Sequence, residues 1–130
     1  MRKVCCVFFV GLMWVSAASA DTGITGCDRL AANTPDPDRV ADGIAREDVD
    51  IPAAIAACRL AVKAHPQVAR LSYQLGRVLF YDGQTALALE SFDRAIELNY
   101  RQAKFLKGLI IARGYADVPS DICRVEQLWR

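Results

Sequence analysis

The chain is poor in the side chains from which most active sites are assembled. Its 130 residues hold one histidine and five cysteines. Neither type recurs at the spacing of a metal site, since CxxC, CxxCH and paired histidines are all missing. Phosphate-cradling loops of the GxGxxG or Walker kind are missing as well. Charge is balanced: 16 basic residues stand against 15 acids, a formal net charge of +1, which excludes the strong basic excess of a nucleic-acid-binding domain. No segment alternates convincingly as a strand, and beyond Val15 no apolar run approaches the ~20 residues that cross a bilayer. These absences leave an all-α protein, not an enzyme, with no cofactor and no metal. A Cys58–His65 nucleophile fails on geometry, because residues seven apart on a helix lie ~10 Å apart along its axis, too far for a proton to pass.

What is present begins at the N-terminus. Arg2 and Lys3 precede an apolar run from Val4 to Val15, and the small residues Ser16 to Ala20 follow. This is the three-part layout of a secretory signal peptide, with Ala18-x-Ala20 as the cleavage site; an uncleaved anchor is the competing reading. Cleavage removes Arg2 and Lys3 and leaves a mature charge of −1 together with Cys27, Cys58 and Cys123. The location is then periplasmic or secreted, where two of the three thiols are expected to pair. Ile24-Thr25-Gly26-Cys27 also looks like the lipobox of bacterial lipoproteins, in which Cys27 would carry lipid, although that motif normally abuts the apolar run.

Residues 33–50, NTPDPDRVADGIAREDVD, contain two prolines and six acids and read as an irregular polar connection. A turn or two of helix at Cys27 to Ala32 precedes it. Asp50 can cap the next helix, with Pro52 tolerated in its first turn. Leu71, Leu75, Val78 and Leu79 fall at i, i+4, i+7 and i+8, and so do Ala88, Phe92, Ala95 and Ile96 beyond an Asp82-Gly83 stop. A further helix is expected over Ala103 to Arg113 and a short last one ending at Trp129. AIAACRLAVKAHP (54–66) is answered 34 residues later by ALESFDRAIELNY (88–100), with Ala54 and Ala61 on Ala88 and Ala95, and Cys58 on Phe92.

A 34-residue period of paired helices resembles the tetratricopeptide repeat. Leu75-Gly76 and Leu79 on a first helix, and Ala88, Phe92 and Ala95 on a second, occupy that family's packing positions, while Gly76 and Gly83 also fit the related Sel1-like repeats. Cys27-Asp28-Arg29-Leu30-Ala31-Ala32, the alanine-rich helix with Cys58, and Tyr73-Gln74-Leu75-Gly76-Arg77 look like the N-terminal region of exported Sel1-like/tetratricopeptide proteins of alphaproteobacteria. In some relatives that region is attached to a caspase-like domain. The resemblance covers residues 53 to about 113. It implies a short right-handed stack of antiparallel helix pairs, an α-solenoid, in residues 51–130, after a signal peptide in 1–20 and a capping segment and loop in 21–50. The third unit departs from the pattern: a 34-residue step puts Ile110 where Gly76 stands and Arg113 where Leu79 stands. The function implied is a protein–protein interaction module that binds a peptide or protein in its groove. An accessory repeat module of a caspase-like peptidase system and a structural envelope protein are the rival readings.

Cys58 faces the packed interior in this pattern, and a disulfide to Cys27 would clamp the N-terminal segment over the end of the stack. The alternative is that Cys58 is simply a small core residue. Cys123 is expected to remain unpaired or to join another chain. Counting along the first helix of each pair, Arg70, Tyr73, Arg77 and Phe80 point inward, as do Lys104, Lys107 and Ile111. Such a surface resembles the family's grooves for extended peptides, so the expected partner is a protein or acidic peptide. The same long basic side chains would equally keep an exposed helix soluble. Residues 120–129 are expected either to cover Phe105, Leu109, Ile110 and Ile111 or to leave an end that dimerises.

Overall fold

Local signals fix the ends of each helix. The computed structural model describes residues 23–115 and 118–130, so the leader expected over 1–20 lies outside the described residues. Among the described residues six α-helices follow one another: α1 (Gly26–Ala31), α2 (Ile51–Ala64), α3 (Ala69–Tyr81), α4 (Thr85–Glu97), α5 (Arg101–Arg113) and α6 (Ile122–Trp129). A 3-10 turn spans Arg46–Asp48, and the described residues contain no strand beyond an isolated Asn33–Ile44 bridge. The all-α expectation holds. Thr25 caps α1 through a reciprocal capping box, its side chain taking the Asp28 N–H while the Asp28 carboxylate takes the Thr25 N–H. Asp50 caps α2 by accepting from the Ala53 N–H at 3.1 Å, and Asp121 does the same for α6 from the Arg124 N–H. Asn99 closes the end of α4 in the left-handed region at φ 65°, a conformation its short amide side chain tolerates.

Packing runs in sequence order. α1 lies on α2 and α3, and α2, α3, α4 and α5 each pack on the next, ending at α6. The apolar stripes meet in one core that holds Ile55 of α2, Leu71, Val78 and Leu79 of α3, and Ala88, Phe92 and Ala95 of α4. Small residues set the approach of α3 to α4: a methyl group on Gly76 would stand 2.5 Å from Phe92 Cε1, so only hydrogen leaves room for the ring. The same contact recurs between α5 and α6, where a methyl on Gly108 would stand 2.3 Å from Trp129 Nε1. Gly108 comes 32 residues after Gly76, so the small position of the third unit is two residues earlier than a 34-residue step puts it. α6 thus covers part of α5, with Val125, Ile110 and Ile111 buried. Phe105, Ile122 and Trp129 keep half or more of their surface exposed.

Cys27 and Cys58 form a disulfide, with an S–S distance of 1.98 Å across 31 residues of sequence. Both are fully buried, and the bridge ties α1 to α2. A sulfur bound to Cys58 cannot carry lipid, which removes the lipobox reading of Cys27. Cys123 is an exposed free thiol. No helix among the described residues is long and apolar enough to cross a membrane.

Candidate functional site

Arg70, Tyr73, Gln74, Arg77 and Tyr81 recur on α3 at spacings of three and four and therefore share one face. That face is closed, contrary to the open groove expected of it. Residues 23–46 lie across it, and the two surfaces exchange hydrogen bonds along its length. Arg70 holds the Asp28 carboxylate as a fork, Nε at 3.0 Å from Oδ1 and Nη2 at 3.3 Å from Oδ2, and also donates to the Gly23 carbonyl. Gln74 Nε2 donates to the same carboxylate at 3.1 Å. Its Oε1 lies 3.1 Å from the Cys27 sulfur, which has no proton to give while in the disulfide. Further along, Arg77 Nη1 donates to the Ala31 carbonyl at 2.7 Å, and its Nε and Nη2 reach the Tyr81 hydroxyl. The Asn33 amide donates to the Tyr73 hydroxyl at 2.8 Å. Tyr100, at the α4–α5 junction, donates its hydroxyl to buried Asp36.

Electrostatics explains why a buried carboxylate is tolerated here. Burial alone would raise the pKa of Asp28, but the hydrogen bonds from Arg70, Thr25 and Gln74 outweigh it and hold the group below the ordinary 3.8. Burial pushes Tyr73 up to about 12, with the nearby Arg77 charge pulling the other way. Burial and the bond to Asp36 push Tyr100 higher still. Among the described residues no buried side-chain N or O atom lacks a hydrogen-bond partner, as a buried polar layer requires.

The other residues expected on the inner surface divide. Lys107 is buried and ion-paired with Asp93 of α4, and Ile111 is buried. Phe80 is half-buried against the edge of Tyr115, with ring centroids 5.4 Å apart. Only Lys104 is freely exposed, and it makes no hydrogen bond or ion pair with a described residue. The helical count groups these side chains by spacing and does not report what covers them: Lys107 turns to Asp93 of α4 while Lys104 stays in solvent. Asp28, Asp36, Gln74 and Tyr100 went unread. One signal for them was available: a Cys27–Cys58 bridge carries the next residue, Asp28, to the α2–α3 surface where arginines stand.

Lys104 belongs to a cleft of about 430 Å³ between α5 and α6, lined by Arg101, Lys104, Phe105, Leu128, Trp129 and Arg130. Phe105 and Trp129 stack across its floor with centroids 6.0 Å apart and planes 20° apart. Arg101 approaches Asp38 at 3.8 Å in an exposed pair, and Arg130 pairs with Glu126. Chemically the cleft offers cations around an apolar platform, the combination that accepts a carboxylate beside a hydrophobic group. Among the described residues no group of three or more His, Cys, Asp or Glu side chains is arranged to hold a metal ion. Comparison with protein-family models, curated proteins and solved structures finds no match to this chain.

Proposed function

We propose that the protein is an exported interaction module of the tetratricopeptide/Sel1-like kind, periplasmic or secreted, which binds a peptide or protein partner. The observation that carries this reading is the Phe105–Trp129 pair: two stacked rings, 55% and 51% exposed, beside a lysine with no ion-pair or hydrogen-bond partner among the described residues. Large rings left half in water are characteristic anchors of protein interfaces. Sequential packing of short-linked helices and the recurring glycine–ring contact support the repeat architecture. The buried Cys27–Cys58 disulfide supports export, since such bonds persist in oxidising compartments. The binding surface is the α5–α6 cleft instead of the α3 face, because the latter is filled by the chain's own N-terminal segment. Cross-linking the full chain in an envelope extract of the cells that make it tests the reading. Wild type should capture a defined set of proteins that Trp129→Ala loses; an identical set from both would overturn it.

A further inference from the structure

A second cleft, of about 710 Å³, is built entirely from α1 and the segments on either side of it, with no lining residue from α2 to α6. Its size lies within the range of small-molecule sites, ~300–1,000 Å³. Local bonds hold its shape. Asn33 and Ile44 bridge at the neck of a closed loop, the Ile44 N–H donates to the Ala32 carbonyl at 2.9 Å, and a methyl on Gly43 would stand 2.4 Å from Thr34 Cα. Asp36 pins the loop to the interior by accepting from the Tyr100 hydroxyl and from the Asp38 N–H. A loop with joined ends and internal bonds of its own presents a preformed surface. α1 turns Cys27, Asp28 and Ala31 inward and leaves Arg29 on its exposed side, where it lines the cleft.

Apolar walls come from Ile24, Pro37, Val40, Ala41 and Ile44. Ile24 and Val40, from separate parts of the segment, stay 49% and 43% exposed and share this one concavity, which makes them a patch and not scattered surface residues. The charges are Arg29, Arg39 and Asp42. Among the described residues the Arg29 side chain has no hydrogen-bond or ion-pair partner, and Arg39 donates only to the Asp36 carbonyl, at 3.0 Å. Neither guanidinium is ion-paired with Asp42, so both keep donors for a ligand.

We propose that this cleft binds a small organic monoanion with an apolar body, of the class of medium-chain carboxylates, its carboxylate on Arg29 and Arg39 and its chain along Ile24, Val40 and Ile44. Two guanidinium charges less the Asp42 carboxylate leave a single positive charge, which matches a monoanion, and the planar fork of arginine suits a carboxylate. An extended peptide is the poorer occupant, since the described residues offer no strand edge for it to join. The site is independent of the interaction-module reading and of the α5–α6 cleft.

The test uses the full chain and dansyl-undecanoate, whose emission rises in an apolar site, with competitors kept below their micellar concentrations. Decanoate should displace the probe. Decyltrimethylammonium, with the same chain and the opposite charge, and inorganic phosphate, with charge and no chain, should not. Arg29→Gln, at an exposed side chain that holds no other element in place, should weaken the probe about tenfold or more. Val40→Asp should weaken it as well, and Asp42→Asn should tighten it; helical circular dichroism checks that each variant is folded. Trp129→Ala should leave binding unchanged. Displacement by the ammonium or by phosphate as effective as by decanoate overturns the assignment, and so does wild-type binding by folded Arg29→Gln. Loss of the probe on Trp129→Ala would move it to the α5–α6 cleft and overturn it too. Absence of binding removes the carboxylate site while leaving the interaction module, read through the Trp129-dependent cross-links, standing.

Discussion

Gly76→Ala sets two effects of opposite sign against each other. Replacing glycine by alanine inside a helix normally stabilises by about 1 kcal/mol, through helix propensity and a less flexible unfolded chain. Here the added methyl would lie 2.5, 2.7 and 3.0 Å from three atoms of the Phe92 ring. The ring is fully buried. Beside it on the α3 face is Tyr73, with centroids 6.1 Å apart, and Tyr73 in turn meets Tyr100 at 5.1 Å. Tyr73 and Tyr100 are held by hydrogen bonds to Asn33 and Asp36. Overpacking of a core costs about 1–3 kcal/mol, and a fully buried ring belongs at the upper end, so the net loss should be about 1–2 kcal/mol. Phe92→Leu removes the obstructing atoms. In that background Gly76→Ala should become neutral or stabilising, giving a coupling of about 2 kcal/mol between the sites, within the range for contacting residues. Urea unfolding followed by helical circular dichroism, with the disulfide kept oxidised, measures all four corners of the cycle. Stabilisation of the wild-type background by Gly76→Ala, or additivity within ~0.5 kcal/mol, would refute the close approach of α3 and α4.

Reducing the Cys27–Cys58 bond, or replacing both cysteines by alanine, should lower stability by about 2–5 kcal/mol, read from the shift of the urea midpoint. Asp28 has a folded pKa below 3.8, so its contribution is present above that pH and is lost as pH falls through the folded value. Asp28→Asn should therefore be less stable than wild type near neutrality, with the difference shrinking well below pH 3.8. Tyr73 behaves in the opposite sense, its folded pKa being raised from 10.0 to about 12. Its contribution is complete below pH 10 and lost as pH rises towards 12, so Tyr73→Phe should flatten that alkaline decline in unfolding free energy.

Periodicity made most of the helices legible. The stripes Leu71–Leu79 and Ala88–Ile96 mark α3 and α4, and Asp50, Asp82-Gly83 and Asn99 mark ends that the structure bears out to within two residues. Register in the third unit was not legible by the same means. A fixed 34-residue step carries Gly76 onto Ile110, yet the glycine that matters is Gly108, recognisable only once Trp129 is seen lying on it. The aromatic partner sits on a helix reached by a connection much longer than the one joining α3 to α4, and spacing along the chain does not report that. The α3 face shows the same limit. Amphipathic counting places Arg70, Tyr73 and Arg77 together, but whether such a strip meets solvent or another segment depends on contacts more than forty residues apart in sequence.

That covering segment has an energetic consequence for the whole chain. Arg77 is 1% exposed and its hydrogen-bond acceptors are the Ala31 carbonyl and the Tyr81 hydroxyl, with no carboxylate of a described residue bonded to it. A guanidinium in such a place is tolerated only while those acceptors are in position, since an unpartnered buried charge costs several kcal/mol. The acceptor at Ala31 is supplied by α1, α1 is held by the Cys27–Cys58 bond, and Asp28 of the same helix neutralises Arg70. Residues 23–46 therefore contribute to the interior of the helical array, with Cys27, Asp28, Ala31, Ala32 and Asp36 all buried. The acidic segment and the basic strip satisfy each other, whereas among the described residues the Phe105–Trp129 pair between α5 and α6 stays about half exposed.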